Sequence, residues 1–305
     1  MKRSDFRFLD RLRVRWAEVD MQHIVFNAHY LMYFDTAVTG YWRALALPYT
    51  ATMASLQGDL YVKKATLEYH GSARFDDLCE VGMRCGAIGN SSMRFQAALF
   101  RGGKLLVGGE LVYVFADPTT QTSRPVPAVL RQLLSGFEAG DAVLRRECGA
   151  WAELSSPVLE LRRQVMAQGP AQGPAQGPAQ GSAPEQAQEP APPPQRVLDE
   201  ADVSALHAVA WNRLGLPLAA GRLLAAVDGA GRIDRMATRT DMRGAGVGRA
   251  VLGDLIAVAR ARGDARVVLD AASDAAGFYA RAGFVADGEA SEAEGLRHQA
   301  MVLTL

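Results

Sequence analysis

The stretch AQGPAQGPAQGPAQGSAPEQAQEPAPPPQ, residues 167–195, constrains this chain more than any other part of it. A four-residue repeat decays there into a proline-rich tail that holds no aromatic or branched apolar residue. A segment of that composition cannot bury enough apolar surface to offset its own ordering entropy. A disordered linker is therefore expected, with ends about 30 Å apart as a flexible coil and up to roughly 90 Å apart if the prolines extend it. The 305 residues leave enough chain on either side for two units, each with its own core.

Composition narrows what those units do. Lys+Arg and Asp+Glu both number 33, so the net charge is zero and nothing favours nucleic acid or an anionic membrane as partner. A small molecule is the better substrate class. The cysteines Cys79, Cys85 and Cys148 are too few and too widely spaced for a disulfide framework or a zinc site, so no metal is expected. No run approaches the 18 or so apolar residues of a membrane span, and the N-terminus lacks a signal-like apolar core. A cytoplasmic location follows as the expectation.

The hydrophobic pattern before residue 140 is that of an α+β unit. RLRVRWAEVD, residues 11–20, alternates Leu12, Val14 and Trp16 with three arginines and predicts a half-buried strand. From about Ala28 to Ala46, Tyr30, Leu31, Phe34, Val38, Tyr41, Trp42 and Leu45 recur at spacings of three and four, which predicts a long helix with Asn27 at its N-cap. The segments YVKKATLEYHG, DLCEVGMRCGAI, SSMRFQAALFRG and KLLVGGELVYVFAD, separated by turn residues, predict an antiparallel sheet. Residues 141–166 are expected to be a helical extension of that unit. Beyond the linker, residues 196–305 read as a mixed α/β domain: a helix over DEADVSALHAVAWNRLG, a hairpin over GRLLAAVDGAGRIDRMATR, a helix with a glycine-rich entrance, then strand, helix and strand.

Two stretches carry chemistry. DMQHIVFNAHY, Asp20–Tyr30, parks a carboxylate between a strand and a helix start. An acid there can serve as base or nucleophile, and the unpaired N–H groups from about Ile24 to Ala28 can hold a carbonyl oxygen. On position alone such an Asp is more often a cap, and the sequence leaves the nucleophile and base roles both open. The second stretch, RMATRTDMRGAGVGRAVL, sets Arg243, Gly244, Gly246 and Gly248 between a strand and a helix, where amides can approach a pyrophosphate.

The strand, the D-x-x-x-x-V-x-N-x-x-Y stretch, the long helix and the later KKATLEYHGSARFDDLCEV and YVFADPTTQTSRPVP resemble the hotdog-fold acyl-CoA thioesterases of the 4-hydroxybenzoyl-CoA thioesterase type, including the Tol-Pal-associated branch, over residues 8–140. The resemblance implies that Asp20 is the catalytic carboxylate and that His23, Asn27, Tyr30, Ser91 and Ser92 lie on the substrate side. Arg74 in GSARFDD is a candidate for meeting the nucleotide phosphates, although an exposed arginine is usually just solvated. The family usually has glycine at the position of His23, and the Tol-Pal-associated members often have His at that of Asn27. A homodimer or homotetramer is implied, with acyl-CoA as substrate.

The glycine loop, together with FYARAGF and EAEGLRH, resembles the GNAT N-acetyltransferases, most closely an ElaA-like branch. That likeness implies an acetyl-CoA or CoA site formed by Met236, Thr238, Arg243, Gly244, Gly246 and Gly248, with Tyr279 protonating the departing thiolate, and no permanently bound cofactor. Glu294 and His298 match family positions. Ala272 and Asp270 depart from them, and the acidic acceptor-side segment expected before GRLL is missing. The expected protein is a thioesterase using Asp20, fused to a GNAT-like domain that either acetylates an amine or serves as a non-catalytic CoA-binding module.

Overall fold

The computed structural model describes residues 1–167, 197–293 and 296–305. Most of the expected linker, and Glu294, lie outside the described residues. The chain divides into two compact units, Met1–Val143 and Leu144–Leu305.

The first unit runs β1 (Phe8–Arg13), α1 (Asn27–Ala44), α2 (Tyr49–Leu56), β2 (Asp59–Tyr69), β3 (Leu78–Ile88), β4 (Ser92–Arg101), β5 (Lys104–Ala116) and α3 (Ala128–Ala139). Its five strands form one antiparallel sheet in the order β1-β3-β4-β5-β2. The periodic face of α1 supplies the core: Tyr30, Tyr33, Phe34, Ala37, Tyr41 and Trp42 are buried. One long helix wrapped by an antiparallel sheet is the hotdog arrangement. Beyond Met83 the outer edge of β3 is no longer paired with β1. There α3 covers it, as Arg131 donates to the carbonyls of Ile88, Gly89 and Asn90 and Glu138 accepts from the amide of Cys85.

Two local expectations fail here. The first strand ends at Arg13, and Trp16, expected inside, is 77% exposed in a 3-10 turn over Trp16–Glu18. Glu18 accepts from the amide of Arg15 at 2.8 Å and from its Nε at 2.6 Å, so local side-chain bonding closes a turn where alternation predicted strand. The N-cap of α1 is Phe26, which has no side chain to cap with, and Asn27 is the first helical residue.

The second unit comprises β6 (Leu144–Ala150), α4 (Trp151–Ala167), α5 (Ala201–Ser204), β7 (Leu206–Asn212), β8 (Pro217–Leu223), β9 (Ala230–Thr238), α6 (Val247–Arg262), β10 (Arg266–Ala272), α7 (Ala276–Ala280), β11 (Val285–Ala286), β12 (Ser291–Ala293) and β13 (Leu296–Thr304). Its sheet runs β11-β13-β10-β9-β8-β7-β6, with β12 alongside β13, and among the described residues only β9 and β10 are parallel. Residues 141–166 are thus no extension of the first unit. Leu144–Ala150 pairs along its whole length with Leu206–Asn212, and Leu154, Val158 and Leu161 of α4 join Val209, Trp211, Ala220 and Ala237 in one core. The polar stretch interrupts the second unit instead of separating the two, and α3 is joined to β6 by residues 140–143. The helix expected over DEADVSALHAVAWNRLG also divides: Ala201–Ser204 is helical, and LHAVAWN is a strand largely buried on both faces. A continuous apolar run carries no period, so pattern alone cannot tell such a strand from a helix.

Charges inside this unit balance. Arg222 of β8 donates to Asp199, Asp202 and Asp234, Arg162 of α4 grips both oxygens of Asp202 at 2.8 and 2.9 Å, and Arg235 adds a bond to Asp199 at 2.8 Å. Burial disfavours the charge on Arg222, yet its three carboxylate partners raise its pKa overall, and the arginines hold Asp199 below the ordinary carboxylate range. The network pins the chain on both sides of residues 168–196. Among the described residues, no helix of either unit is long and apolar enough to cross a membrane.

Candidate functional site

In the first unit a short hairpin joins the 3-10 turn to α1. Val19 bridges to Val25, the amide of Asp20 donates to Ile24 O at 2.9 Å, and that of His23 donates to Asp20 O at 2.9 Å. Asp20 stands half-buried at its start. Its Oδ1 accepts the amide of Gln22 at 2.8 Å, and its Oδ2 has no partner among the described residues. His23 has φ 59°, the left-handed region that suits glycine. A non-glycine residue thus holds a left-handed backbone conformation here, with its imidazole exposed.

The hairpin ends at the first turn of α1. The amide of Phe26 donates to Glu18 O and that of His29 to Phe26 O, both at 2.9 Å, while among the described residues those of Asn27 and Ala28 have no acceptor. Two donors at the positive end of an 18-residue helix thus follow the carboxylate directly. Asn27 is exposed and its carbonyl accepts from Tyr69. Tyr30 is buried, its hydroxyl accepts the amide of Ala73 at 3.0 Å, and its ring meets Tyr33 and Tyr69 edge-on. Burial pushes its phenol pKa up, so it stays neutral. Arg74, exposed, follows Ala73, whose carbonyl accepts the amide of Val25 at 2.9 Å.

Ser91 and Ser92 stand elsewhere. Ser92 faces Val114 on β5, whereas the Asp20 end of the sheet is at Tyr69 and Val107. At about 3.3 Å per residue the two ends are roughly 23 Å apart, so one chain does not bring these serines to Asp20. Glu18 belongs at the site and was not singled out in the sequence. It is only 3% exposed, and Tyr33 donates to its Oε2 at 2.7 Å. Burial pushes its pKa up, but the bonds from Tyr33 and Arg15 outweigh that and hold it below the ordinary range. Its signal was a Glu three residues after Arg15, a spacing that closes a turn. Cys79 and Cys85 are not nucleophile candidates, since burial pushes their thiols up to about 11 and about 12.

The second unit offers main chain instead. Gly244 and Gly246 lie at φ 82° and 84°, and among the described residues the amides of Gly244, Gly246, Val247 and Gly248 have no acceptor at the start of α6. A Cβ on Gly248 would stand 2.7 Å from Thr238 Oγ1, so its glycine lets α6 close on β9. The Arg235–Met236 step of β9 opposes the single residue Gly221, and Arg235 has φ 51°: this bulge takes both residues out of the ladder register. Gly221 permits it, because a Cβ there would meet Met236 Sδ at 2.2 Å.

β9 and β10 pair only over Ala230–Arg232 and Arg266–Val268, and further on, where Thr238 and Ala272 stand, they have no shared register. Tyr279 on α7 is buried, and burial together with the charge of Asp234 pushes its phenol up to about 12. Asp270 forms an exposed ion pair with Arg232, and His298 lies opposite Ala272. Among the described residues, no cluster of His, Cys, Asp and Glu is placed to hold a metal ion.

Comparison with known proteins agrees with this division. Residues 22–107 match the family model described as the thioesterase superfamily, and residues 218–305 match that of the acetyltransferase (GNAT) domain. The acyl-CoA thioester hydrolase YbgC of Escherichia coli O6:H1 is 26% identical over 117 residues, 38% of this chain and 87% of that protein. The acyl-CoA thioesterase YbgC of Haemophilus influenzae is 27% identical over 95 residues, 31% of this chain and 70% of that one. A solved thioesterase from Thermus thermophilus, complexed with coenzyme A and Zn, is 22% identical and covers 45% of this chain and 98% of its own, with a TM-score of 0.40. The first unit thus carries a domain of the thioesterase superfamily, similar to acyl-CoA thioester hydrolases, and the second unit carries an acetyltransferase (GNAT) domain.

Proposed function

We propose that the first unit hydrolyses acyl-CoA with Asp20 as its catalytic carboxylate. The observation that carries this reading is the free Oδ2 of Asp20 on a hairpin that leads straight into the open amides of Asn27 and Ala28. The carboxylate attacks the thioester carbonyl or takes a proton from the attacking water. The helix amides stabilise the oxyanion, and the C–S bond then breaks to give the acid and the CoA thiol. His23 and Asn27 border the acyl group, and Arg74 is placed for the nucleotide phosphates.

The free edge of β2, with Tyr61, Val62 and Tyr69 exposed, suits antiparallel pairing with a second copy in a homodimer, or within a homotetramer. Such pairing sets the far end of the partner sheet beside Asp20, which is how Ser91 and Ser92 would reach the substrate of the other copy. A cytoplasmic location accords with three free thiols. An Asp20→Asn variant screened across acyl-CoA lengths tests the assignment, and a folded variant with unchanged hydrolysis would overturn it.

For the second unit the reading is CoA binding through the amides of Gly244, Gly246 and Gly248, beside Arg243. The acyl arm runs between β9 and β10 past Thr238, and the bulge at Met236 offers its amide to the acetyl carbonyl. Tyr279, kept protonated by burial, donates to the leaving thiolate as the acetyl group passes to an amine. A second reading, a non-catalytic CoA-binding module, is favoured by Ala272, whose side chain cannot hydrogen-bond where the family usually has an amide side chain. Calorimetry with CoA and acetyl transfer to a panel of amines separate the two. The fragment should begin at Leu144, because β6 and α4 belong to the unit.

A further inference from the structure

Glu18 stands two residues before Asp20 in a segment where Arg15, Trp16, Ala17, Met21, Gln22 and His23 are all exposed, yet Glu18 itself is buried. A buried carboxylate is tolerated only where its oxygens are well paired, and these are. Oε2 accepts the Arg15 amide at 2.8 Å and the Tyr33 hydroxyl at 2.7 Å, and Oε1 accepts Arg15 Nε at 2.6 Å. The backbone of the same residue works on the other side of the loop, since Glu18 O accepts the amide of Phe26 at 2.9 Å. One residue thus holds the entry to the loop through Arg15, its exit through Phe26, and the second turn of α1 through Tyr33. Asp20 lies between these fastenings, and the open amides of Asn27 and Ala28 follow the last of them.

We propose that Glu18 is a positioning residue for thioester hydrolysis: with Tyr33 it fixes the Asp20 hairpin against α1, so that carboxylate and helix amides address the same carbonyl carbon. The proposal rests on the reading of Asp20 as the catalytic carboxylate. Glu18 itself touches no substrate. A displacement of about 1 Å between reacting groups is enough to lower turnover by roughly 10²-fold, so losing the lock should act on kcat and spare KM.

The test uses the full chain, with the acyl-CoA that it hydrolyses fastest as substrate. Tyr33→Phe removes one donor without opening a cavity and should lower kcat by roughly tenfold with KM within about twofold; Glu18→Ala, which removes every side-chain fastening, should lower it by roughly 10²-fold. Glu18→Gln keeps an acceptor for Tyr33 and the Arg15 amide while Arg15 swings into solvent, and it should recover most of the loss. A purely structural role would lower the melting temperature and leave kcat of the folded fraction unchanged. Folded Tyr33→Phe and Glu18→Ala with kcat within about twofold of the parent would overturn the proposal. Should Glu18→Ala fail to fold, folded Tyr33→Phe decides it alone: a roughly tenfold lower kcat supports the lock, and kcat within about twofold of the parent overturns it. Asp20→Asn, measured in parallel, keeps the two ideas apart. If it is fully active, the reading of Asp20 falls; if it is inactive while the Glu18 and Tyr33 variants are normal, only the positioning role falls.

Discussion

In the function proposed for the first unit the group offered to a thioester is a side chain on a short hairpin, and in that proposed for the second the groups offered to CoA are main-chain amides. The two are held in place differently. Asp20 depends on a buried polar lock, Glu18 with Tyr33 and Arg15, that ties loop to helix. The glycine loop depends on backbone conformations that Gly244 and Gly246 adopt at little cost, and the bulge beside it depends on the missing side chain of Gly221. A side-chain catalyst is therefore vulnerable through its hydrogen-bond partners, and a main-chain site through whatever adds a Cβ.

The largest effect should come from breaking the charge balance under the second site. Arg222→Met leaves three carboxylates without their shared guanidinium and should destabilise the second unit by about 3–5 kcal/mol. Thermal unfolding of the fragment from Leu144 measures it; a loss under about 1 kcal/mol would show that the network is solvated and marginal. Next in size, Asp20→Asn should remove roughly 10²-fold of hydrolysis and leave CoA binding by the second unit unchanged, which calorimetry checks.

Gly246→Val is the mirror experiment. A β-branched residue at φ 84° is strained and fills the approach to the amides, so CoA binding should weaken by about tenfold or more while hydrolysis persists. A variant that weakened both activities would mean that the sites are not separable.

The smallest effect concerns pH. Burial holds His207 below its ordinary pKa, with Nε2 2.9 Å from Asp202 O. The unfolded chain protonates this histidine near pH 6.5 and the folded unit resists, so stability falls as pH drops below about 6.5. Asp199 and Asp202, held low in the fold, extend the loss further as pH falls below about 3.9, the unfolded Asp value, toward their folded values. Between pH 7 and 5 the melting temperature of the second unit should fall by a few degrees. A flat profile would show that His207 titrates freely.

Much of this architecture was legible because its period is strong. The three-and-four spacing from Tyr30 to Trp42 and the alternating strands of the first sheet speak for themselves, as does an acid set before a helix. What escaped had no local signature. LHAVAWN, apolar except for His207 and Asn212, shows no alternation because it lies inside a sheet, and β6, with mostly exposed residues, is a strand only because β7 pairs with it. Glu18 and Arg222 carry no local sign of burial, and only the fold reveals that both are buried. Trp16 obeyed the strand alternation and was overruled by a turn that Glu18 closes.

The placement of the polar stretch inside the second unit has a consequence for synthesis. A ribosome makes β6 and α4 first and must then add residues 168–196 before any of β7 exists, a delay of a few seconds at about 5–20 residues per second. During that interval the apolar face of α4, with Leu154, Val158 and Leu161, has no sheet to cover it, which makes the nascent chain a client for chaperones. The same discontinuity makes the unit divisible. Residues 1–167 and 197–305, co-expressed as separate chains, should find each other through the β6–β7 pairing and the Arg162–Asp202 bond and elute together. Halves that stay apart would mean that covalent connection through the polar stretch is needed to bring the last strand partner home.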